Sequence, residues 1–176
     1  YRTQIAGEVK NFETEKYFDA KEAKKLDRFC HFAVAAADEA VAQAKLADSG
    51  IDPTRIGVLI GSGIGGLLTL EEEITKLNAK GPRRVSPLLI PKMIADMSAG
   101  CVSIRHGFQG PNYTAVSACA SGTHSIGEAY WTIQRGDADV MVCGGAEAAI
   151  TPVGIAGFAS MKAMSARNDD PVTASR

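Results

Sequence analysis

Short apolar runs with the composition of β-strands alternate along this chain with longer segments of helical periodicity, and this alternation constrains the fold most. Strands are predicted over residues 55–60, 112–118 and 139–143, which are apolar runs bounded by turn-forming residues. Helices are predicted over residues 19–49, 67–77, 91–106 and 121–135. Strands that alternate with helices are typical of an α/β layered fold.

The ends of two predicted helices carry specific signals. Asp19 followed by Glu22 resembles a capping box, and Gly50 is placed to end the same helix. Gly107 is placed to end the helix over 91–106, whose closing residues Arg105 and His106 suit the negative end of the helix dipole. We therefore expect each of these two segments to form one continuous helix.

Composition narrows the class of protein but indicates no function. The chain has 176 residues, 45% hydrophobic and 22% charged, which suits one ordinary globular domain. The net charge of -1 gives no indication of a nucleic-acid or membrane-surface partner. No apolar run reaches the roughly 20 residues of a membrane helix, and no signal-peptide pattern opens the chain. Because it starts without Met and stops in no evident closing element, we expect a longer protein.

The four cysteines lie at positions 30, 101, 119 and 143. They form no Cys-x-x-Cys pair and no Cys/His cluster with zinc spacing, so we expect free thiols in a reducing compartment and no metal site. A cysteine with no further context is most often a small buried hydrophobe. Only Cys119 lies in a sequence context that indicates a role other than packing.

Gly61, Gly63 and Gly66 follow an apolar run with the G-x-G-x-x-G spacing of a dinucleotide-binding loop. That interpretation requires a strand ending in Asp or Glu about 20 residues later, to hold the ribose. Residues 80–90 contain no carboxylate, and Arg83 and Arg84 lie in a Gly-Pro loop. An NAD-binding oxidoreductase therefore remains only a remote alternative. We favour a tight strand-to-helix turn, in which glycine permits positive φ and close packing.

The segment around Cys119 indicates a nucleophile. The predicted strand over 112–118 runs directly into Cys119, and small residues then open the helix that begins at Ser121. A reactive residue at such a strand–turn–helix bend resembles a nucleophile elbow. The helix N-terminus favours the thiolate, and its unpaired N–H groups can hold an oxyanion.

A nucleophilic cysteine usually needs a base, and no histidine of this chain is well placed to serve. His124 lies five positions after Cys119, which turns it about 140° around the helix. We expect a structural role for His124. His31 and His106 lie on other helices with no pattern that links them to Cys119. The base is therefore expected outside this chain.

The segment 117–122 (SACASG), with His124, Ile126 and Gly127 after it, resembles the active-site segment of the β-ketoacyl-[acyl-carrier-protein] synthases, in particular the elongating type II enzymes. Further segments match the family in the same order along the chain, before and after this one, at 61–66, 81–83, 86–87, 110–111, 136–141, 144–147 and 174–176. The resemblance implies a thiolase-like αβαβα fold of two similar halves and a homodimer. Residues 1–176 would be most of the first half. The first strand would precede Tyr1, and a second half with two catalytic histidines and a lysine would follow Arg176.

The same resemblance implies a reaction. Cys119 would accept an acyl group from acyl carrier protein (ACP), with its own N–H in the oxyanion hole. The absent histidines would help decarboxylate malonyl-ACP, and a Claisen condensation would then give 3-oxoacyl-ACP and CO2. This chemistry needs no metal and no redox cofactor.

The resemblance also assigns an acyl pocket and a docking surface. Ile64, Leu89 and Phe158 match pocket positions, although the family more often has an aromatic residue at 89. Ile64 matches the isoleucine of type II enzymes at the base of the pocket, where type I enzymes usually have glycine. Basic positions near the entrance, where an acidic carrier protein would dock, are matched by Lys21, Lys24, Lys25, Arg83 and Arg84.

Two related functions remain open beside fatty acid elongation. A ketosynthase domain of a polyketide synthase would share Cys119 and the fold. A chain-length-controlling partner subunit would lack the nucleophile, so Cys119 argues against it. The resemblance implies the bacterial cytoplasm or the plastid stroma as the location, with no nucleic-acid or membrane partner.

Overall fold

A three-stranded parallel sheet organises the chain, of which the computed structural model describes residues 1–175. The strands are β1 (Ile56–Gly61), β2 (Asn112–Tyr113) and β3 (Val140–Gly145), in the order β2-β1-β3. The register places Val58 opposite both Asn112 and Val142. The α-helices are α1 (Ala20–Ala23), α2 (Arg28–Gln43), α3 (Leu67–Lys80), α4 (Leu89–Met93), α5 (Met97–His106), α6 (Ser121–Gln134) and α7 (Pro152–Ser160).

Every residue of the central strand β1 is buried, because helices cover both faces of the sheet. Val58 and Ile60 pack against α2 and α5 in the main apolar cluster, which includes Val34 and Val102. Successive side chains of a strand point to opposite faces, so Leu59 lies on the α6 side. This helix–sheet–helix arrangement confirms the predicted α/β layered fold.

The prediction of one helix over 19–49 is wrong at both its middle and its end. Asp19 does cap a helix, accepting from the Lys21 and Glu22 backbone N–H groups, but α1 ends at Ala23. A second helix starts at Arg28 because Asp27 caps it, accepting from the Phe29 N–H. This helix ends at Gln43, and Lys45 adopts a left-handed conformation with φ 51° well before Gly50.

Two other predicted elements are shorter or interrupted. The helix over 91–106 is divided into α4 and α5 by the extended residue Ile94, although Gly107, with φ 70°, does end α5 as predicted. The strand over 112–118 pairs only at Asn112 and Tyr113. Beyond them the chain leaves the ladder, and the Ser117 N–H donates to the Ser121 hydroxyl instead of to a strand.

The remaining predicted elements are confirmed with small shifts of their ends. The helix predicted over 67–77 continues as α3 to Lys80, where Gly81 with φ 77° ends it. The helix predicted over 121–135 and the strand predicted over 139–143 correspond to α6 and β3. Among the described residues, no helix combines the length and apolar character needed to cross a membrane.

Candidate active site

All three parallel strands end at the same edge of the sheet, and the loops after them meet around Cys119. A cavity of about 550 Å³ opens there. The end of β1 with the loop after it contributes residues 61–64, and the turn with the first residues of α6 contributes 118–119 and 121–122. The end of β3 with the loop after it contributes 145–147 and Ala149. Phe158 of α7 forms a further wall. Open α/β sheets bind ligands at this carboxyl edge.

The backbone bends sharply immediately before Cys119. Ala118 has φ 52°, a left-handed conformation that is uncommon for a residue with a side chain. A 3₁₀ turn over Ala118–Ala120 then leads into α6. Non-glycine residues in this region persist only where their surroundings enforce them, and they cluster at functional sites. The predicted bend before the helix is therefore present at Cys119, with a strained residue at its corner, but β2 ends at Tyr113 and does not run directly into Cys119 as predicted.

The Ser121 side chain holds this bend together. Its hydroxyl accepts from the Ser117 N–H at 2.9 Å and donates to the Ala118 carbonyl oxygen at 2.7 Å. Ser121 is 3% exposed, so water does not compete freely for these bonds. Ser121 is not among the residues predicted for the site, although a serine at a helix start is a familiar local signal.

Cys119 lines the cavity and carries both a thiol and a backbone donor that is unpaired among the described residues. The residue is exposed, and its N–H, at the first turn before α6, has no acceptor within residues 1–175. An unpaired N–H beside a nucleophile can stabilise an oxyanion. The other cysteines do not line this cavity. Cys30 is fully buried, and contact with the Cys101 thiol, together with burial, raises the pKa of the Cys30 thiol.

The structure brings two of the three predicted pocket residues to the nucleophile. Ile64 and Phe158 both line the cavity with Cys119, and each keeps part of its side chain exposed there, 43% for Ile64 and 39% for Phe158. Leu89 is the first residue of α4 and does not line the cavity. The assignment of Leu89 to an acyl pocket stays a prediction.

The glycine-rich loop after β1 uses its own donors internally. The Glu147 carboxylate accepts from the Gly63 N–H at 2.8 Å, from the Ile64 N–H at 3.1 Å and from the Ser62 hydroxyl at 3.3 Å. A dinucleotide-binding loop must offer such N–H groups to a pyrophosphate. Because a carboxylate of this chain already binds them, the geometry disfavours the NAD alternative.

Close packing explains the glycines of this loop better than phosphate binding does. A Cβ at Gly61 would lie 2.4 Å from the Ser121 carbonyl oxygen, and a Cβ at Gly66 would lie 2.3 Å from the Lys92 carbonyl oxygen. Positive φ occurs at Gly65, with 71°, and not at the three glycines of the fingerprint spacing. The predicted tight, closely packed turn is confirmed.

None of the three histidines lines the cavity. The His124 ring hydrogen-bonds through Nδ1 to the Ser117 hydroxyl, on the segment that leads to the bend. The His31 Nε2 contacts the Ala23 carbonyl oxygen at 3.0 Å. The structural role expected for His124 agrees with this contact.

The five predicted docking residues form two exposed groups. Lys21, Lys24 and Lys25 lie on and just after α1, while Arg83 and Arg84 lie on the 3₁₀ turn Pro82–Arg84. None of them makes an ion pair with another described residue. Two buried carboxylates link helix α3 to the segments that carry the two groups, one bonded to Thr69 near the start of α3 and one on Glu73 in its middle.

These carboxylates belong to Asp27 and Glu73. Asp27 accepts from the Thr69 N–H at 3.0 Å, next to the lysine group. Glu73 accepts from the Ser86 N–H at 2.7 Å, next to the arginine group. Hydrogen bonds from Lys76 and from the Ser86 N–H hold the pKa of the Glu73 carboxyl below its ordinary value. Among the described residues, no group of three or more His, Cys, Asp or Glu is arranged to hold a metal ion.

Comparison with known proteins agrees with this geometry. The family model described as beta-ketoacyl synthase, N-terminal domain, matches residues 1–176. The 3-oxoacyl-[acyl-carrier-protein] synthase 2 of Synechocystis sp. (strain ATCC 27184 / PCC 6803 / Kazusa) is 53% identical over 173 residues, 98% of this chain and 42% of that protein. The chain thus spans less than half the length of this curated relative.

Solved structures show the same fold. A beta-ketoacyl synthase from Burkholderia phymatum STM815 is 30% identical, with a TM-score of 0.85 over 97% of this chain and 42% of that one. A chain from a type II PKS acyl-carrier protein in complex with its ketosynthase bound to the hexaketide is 26% identical, with a TM-score of 0.81 over 86% of this chain and 44% of that one. These similarities confirm the thiolase-like fold class. The chain therefore belongs to the beta-ketoacyl synthase family, in which it matches the N-terminal domain.

Proposed function

We propose that this chain is the nucleophile-bearing part of a 3-oxoacyl-[acyl-carrier-protein] synthase II, an acyltransferase of fatty acid elongation. The observation that carries the proposal is Cys119, exposed in a cavity at a strained bend with an unpaired N–H. The 53% identity to proteins of that name supports the substrate class. Residues 1–176 would form most of the first half of the ketosynthase domain, after a first strand and before the second half.

The first step is transfer of an acyl group to Cys119. The thiolate attacks the carbonyl carbon of acyl-ACP and forms a new C–S bond, while the carbonyl oxygen takes the negative charge. The Cys119 N–H donates to this oxyanion. The intermediate collapses by breaking the bond to the carrier thiol, which leaves and takes up a proton. The acyl group then remains on Cys119 as a thioester.

The second step is condensation with malonyl-ACP. Loss of CO2 leaves the electron pair on an enolate, whose carbon attacks the acyl carbonyl on Cys119. A C–C bond forms, the C–S bond to Cys119 breaks, and 3-oxoacyl-ACP leaves. No histidine of this chain lines the cavity, so the proposal assigns decarboxylation to the two histidines that the family resemblance places in the second half.

The cavity suits an apolar acyl chain. Ile64 and Phe158 present apolar side chains beside Cys119, and we assign Ile64 to the floor of the channel. The place of Leu89 in the acyl pocket rests on the family resemblance alone, since Leu89 does not line the cavity formed by the described residues. An isoleucine at the floor favours the type II specificity for longer chains. The exposed basic residues would bind the acidic carrier, the working unit would be a homodimer, and the location would be the bacterial cytoplasm or the plastid stroma.

Acylation of the full-length protein tests this function. Incubation with acyl-ACP is expected to raise the intact mass by one acyl group, which peptide mapping locates on Cys119. Addition of malonyl-ACP is expected to release 3-oxoacyl-ACP and CO2 and to restore the original mass. Acylation at a different residue, or none with any acyl-ACP, would overturn the proposal.

Charge reversal tests the docking surface. The double variant Lys24→Glu/Arg84→Glu places repulsion in both basic groups, so the KM for acyl-ACP is expected to rise about tenfold with little change in kcat. The difference is expected to shrink at high salt, because exposed charges are screened. Lys10→Glu changes another exposed lysine, outside these groups, and serves as the control. Equal KM values for the double variant and the control would contradict docking of the carrier protein at these two basic groups.

A polyketide ketosynthase is the second candidate, favoured by the fold shared with the type II PKS complex. The two functions differ in the acyl chain that is used after the first condensation. A polyketide ketosynthase extends an unreduced 3-oxoacyl chain again, whereas an elongating synthase accepts saturated chains. Equal rates of condensation with 3-oxoacyl-ACP and with saturated acyl-ACP, measured on the full-length protein, would favour the polyketide function.

A further inference from the structure

The loop that carries Ile64 is held by a residue to which neither the resemblance nor the reaction assigns a role. We propose that Glu147 is a positioning residue that fixes the backbone at Ile64 and thereby sets which acyl chain lengths reach Cys119. This inference rests on the proposed function. Glu147 lies just after β3, and its carboxylate reaches across to the loop after β1.

Three donors of that loop converge on the one carboxylate. Oε2 accepts from the Gly63 and Ile64 N–H groups at 2.8 and 3.1 Å, and Oε1 accepts from the Ser62 hydroxyl at 3.3 Å. Ser62 is 1% exposed, and its hydroxyl oxygen also accepts from the Gly65 N–H at 3.1 Å. Glu147 thus binds the loop at every position from 62 to 64 and, through Ser62, at 65.

The far end of the loop is fixed independently. The Gly66 N–H donates to the Met93 carbonyl oxygen at 3.0 Å, and Gly61 packs directly on the start of α6. Ile64 stands between these two anchors, and its own N–H is one of the bonds to Glu147. Without the carboxylate, the loop between Gly61 and Gly66 would lose the contacts that define where the Ile64 side chain stands.

The geometry disfavours a simple alternative in which Glu147 acts as the base for Cys119. A general base must lie within hydrogen-bond reach of the proton that it takes. The two oxygens of Glu147 accept three hydrogen bonds from the loop after β1, and within residues 1–175 neither is bonded to the Cys119 thiol. The contribution of Glu147 is therefore to the position of the loop.

The packing around Gly63 shows how closely the carboxylate fits. A Cβ at Gly63 would lie 2.9 Å from Glu147 Oε2, so only a glycine allows the present approach without displacement. The same loop would offer its N–H groups to solvent if Glu147 were absent. A side chain at 63 would therefore displace the end of the flexible Glu147 side chain from its present position.

Acyl-chain profiles of the full-length protein test this role. Acylation of Cys119 is measured with a short and a long saturated acyl-ACP for the wild type, Glu147→Ala and Glu147→Gln. Glu147→Ala is expected to change the long-to-short ratio of kcat/KM about tenfold, since small misplacements of a substrate-contacting group have large effects. Glu147→Gln keeps one acceptor oxygen and is expected to shift the ratio less. Glu15→Gln, whose exposed side chain contacts no described residue by a hydrogen bond, is the control.

The outcomes separate this inference from the proposed function. If the wild type is acylated by no acyl-ACP, the proposed function fails. If the wild type is acylated and Glu147→Ala lowers kcat/KM equally for both chain lengths, or leaves both unchanged, the positioning role is overturned. If Glu147→Ala does not fold, the shift in Glu147→Gln relative to Glu15→Gln decides the question.

Discussion

Replacing Cys119 with alanine in the full-length protein is expected to abolish acyl transfer and condensation. The carrier thioester then has no nucleophile to attack it, and loss of a covalent nucleophile costs at least about 10⁴-fold in rate. Decarboxylation of malonyl-ACP is expected to persist, because the proposed function assigns that step to histidines of the second half. The measurements are acyl-enzyme formation by intact mass, 3-oxoacyl-ACP formation and CO2 release.

Cys143→Ala is the matched control for this result. Cys143 is also exposed, but it lies within β3 and does not line the cavity. The control is expected to retain acylation within about twofold, as most exposed substitutions away from a site do. Condensation that survives in the Cys119→Ala variant would contradict the assignment of the nucleophile.

Replacing Gly61 with alanine is expected to damage stability and acylation together. The added Cβ would lie 2.4 Å from the Ser121 carbonyl oxygen and 2.5 Å from its carbonyl carbon, both backbone atoms that cannot rotate away. Relief requires β1 and α6 to separate, and overpacking of this kind costs about 1–3 kcal/mol in the free energy of unfolding. Because Ser121 holds the bend at Cys119, the acylation rate is expected to fall as well.

Urea unfolding and acylation kinetics check this prediction, with Gly127→Ala as the control. Gly127 lies within α6, and a Cβ there meets no heavy atom within 4 Å in the described structure. Alanine is favoured over glycine inside a helix, so the control is expected to gain about 0.5–1 kcal/mol. A Gly61→Ala variant with unchanged stability and rate would contradict the close contact between β1 and α6.

Local signals made the Cys119 bend predictable. The apolar run before it, the small residues after it and the helix periodicity from Ser121 all lie within one short stretch. The left-handed conformation of Ala118 was not predictable, because nothing in an alanine indicates positive φ. The Ser121 hydroxyl stabilises it from beyond the turn, because it accepts from the Ser117 N–H and donates to the Ala118 carbonyl oxygen.

The features that sequence analysis missed depend on contacts between distant residues. Glu147 binds a loop more than 80 positions earlier in the chain, and no periodicity reports such a pair. The break between α1 and α2 has the same origin. Asp27 stops a regular helical pattern because it caps α2 and at the same time accepts from Thr69, which lies 42 residues later. Propensity favoured one helix, and this tertiary contact overrides it.

Because three strands end at one edge of the sheet, the nucleophile and the residue assigned to the acyl pocket lie on different loops. The nucleophile follows β2, the loop with Ile64 follows β1, and Glu147 follows β3. The bases of these loops are locked by Gly61 against α6, whereas Ile64 lies three residues further out. Under the proposed role of Ile64, exchange of the side chain at 64 would change the acyl chains that are accepted, while the bend that carries the thiol would keep its shape.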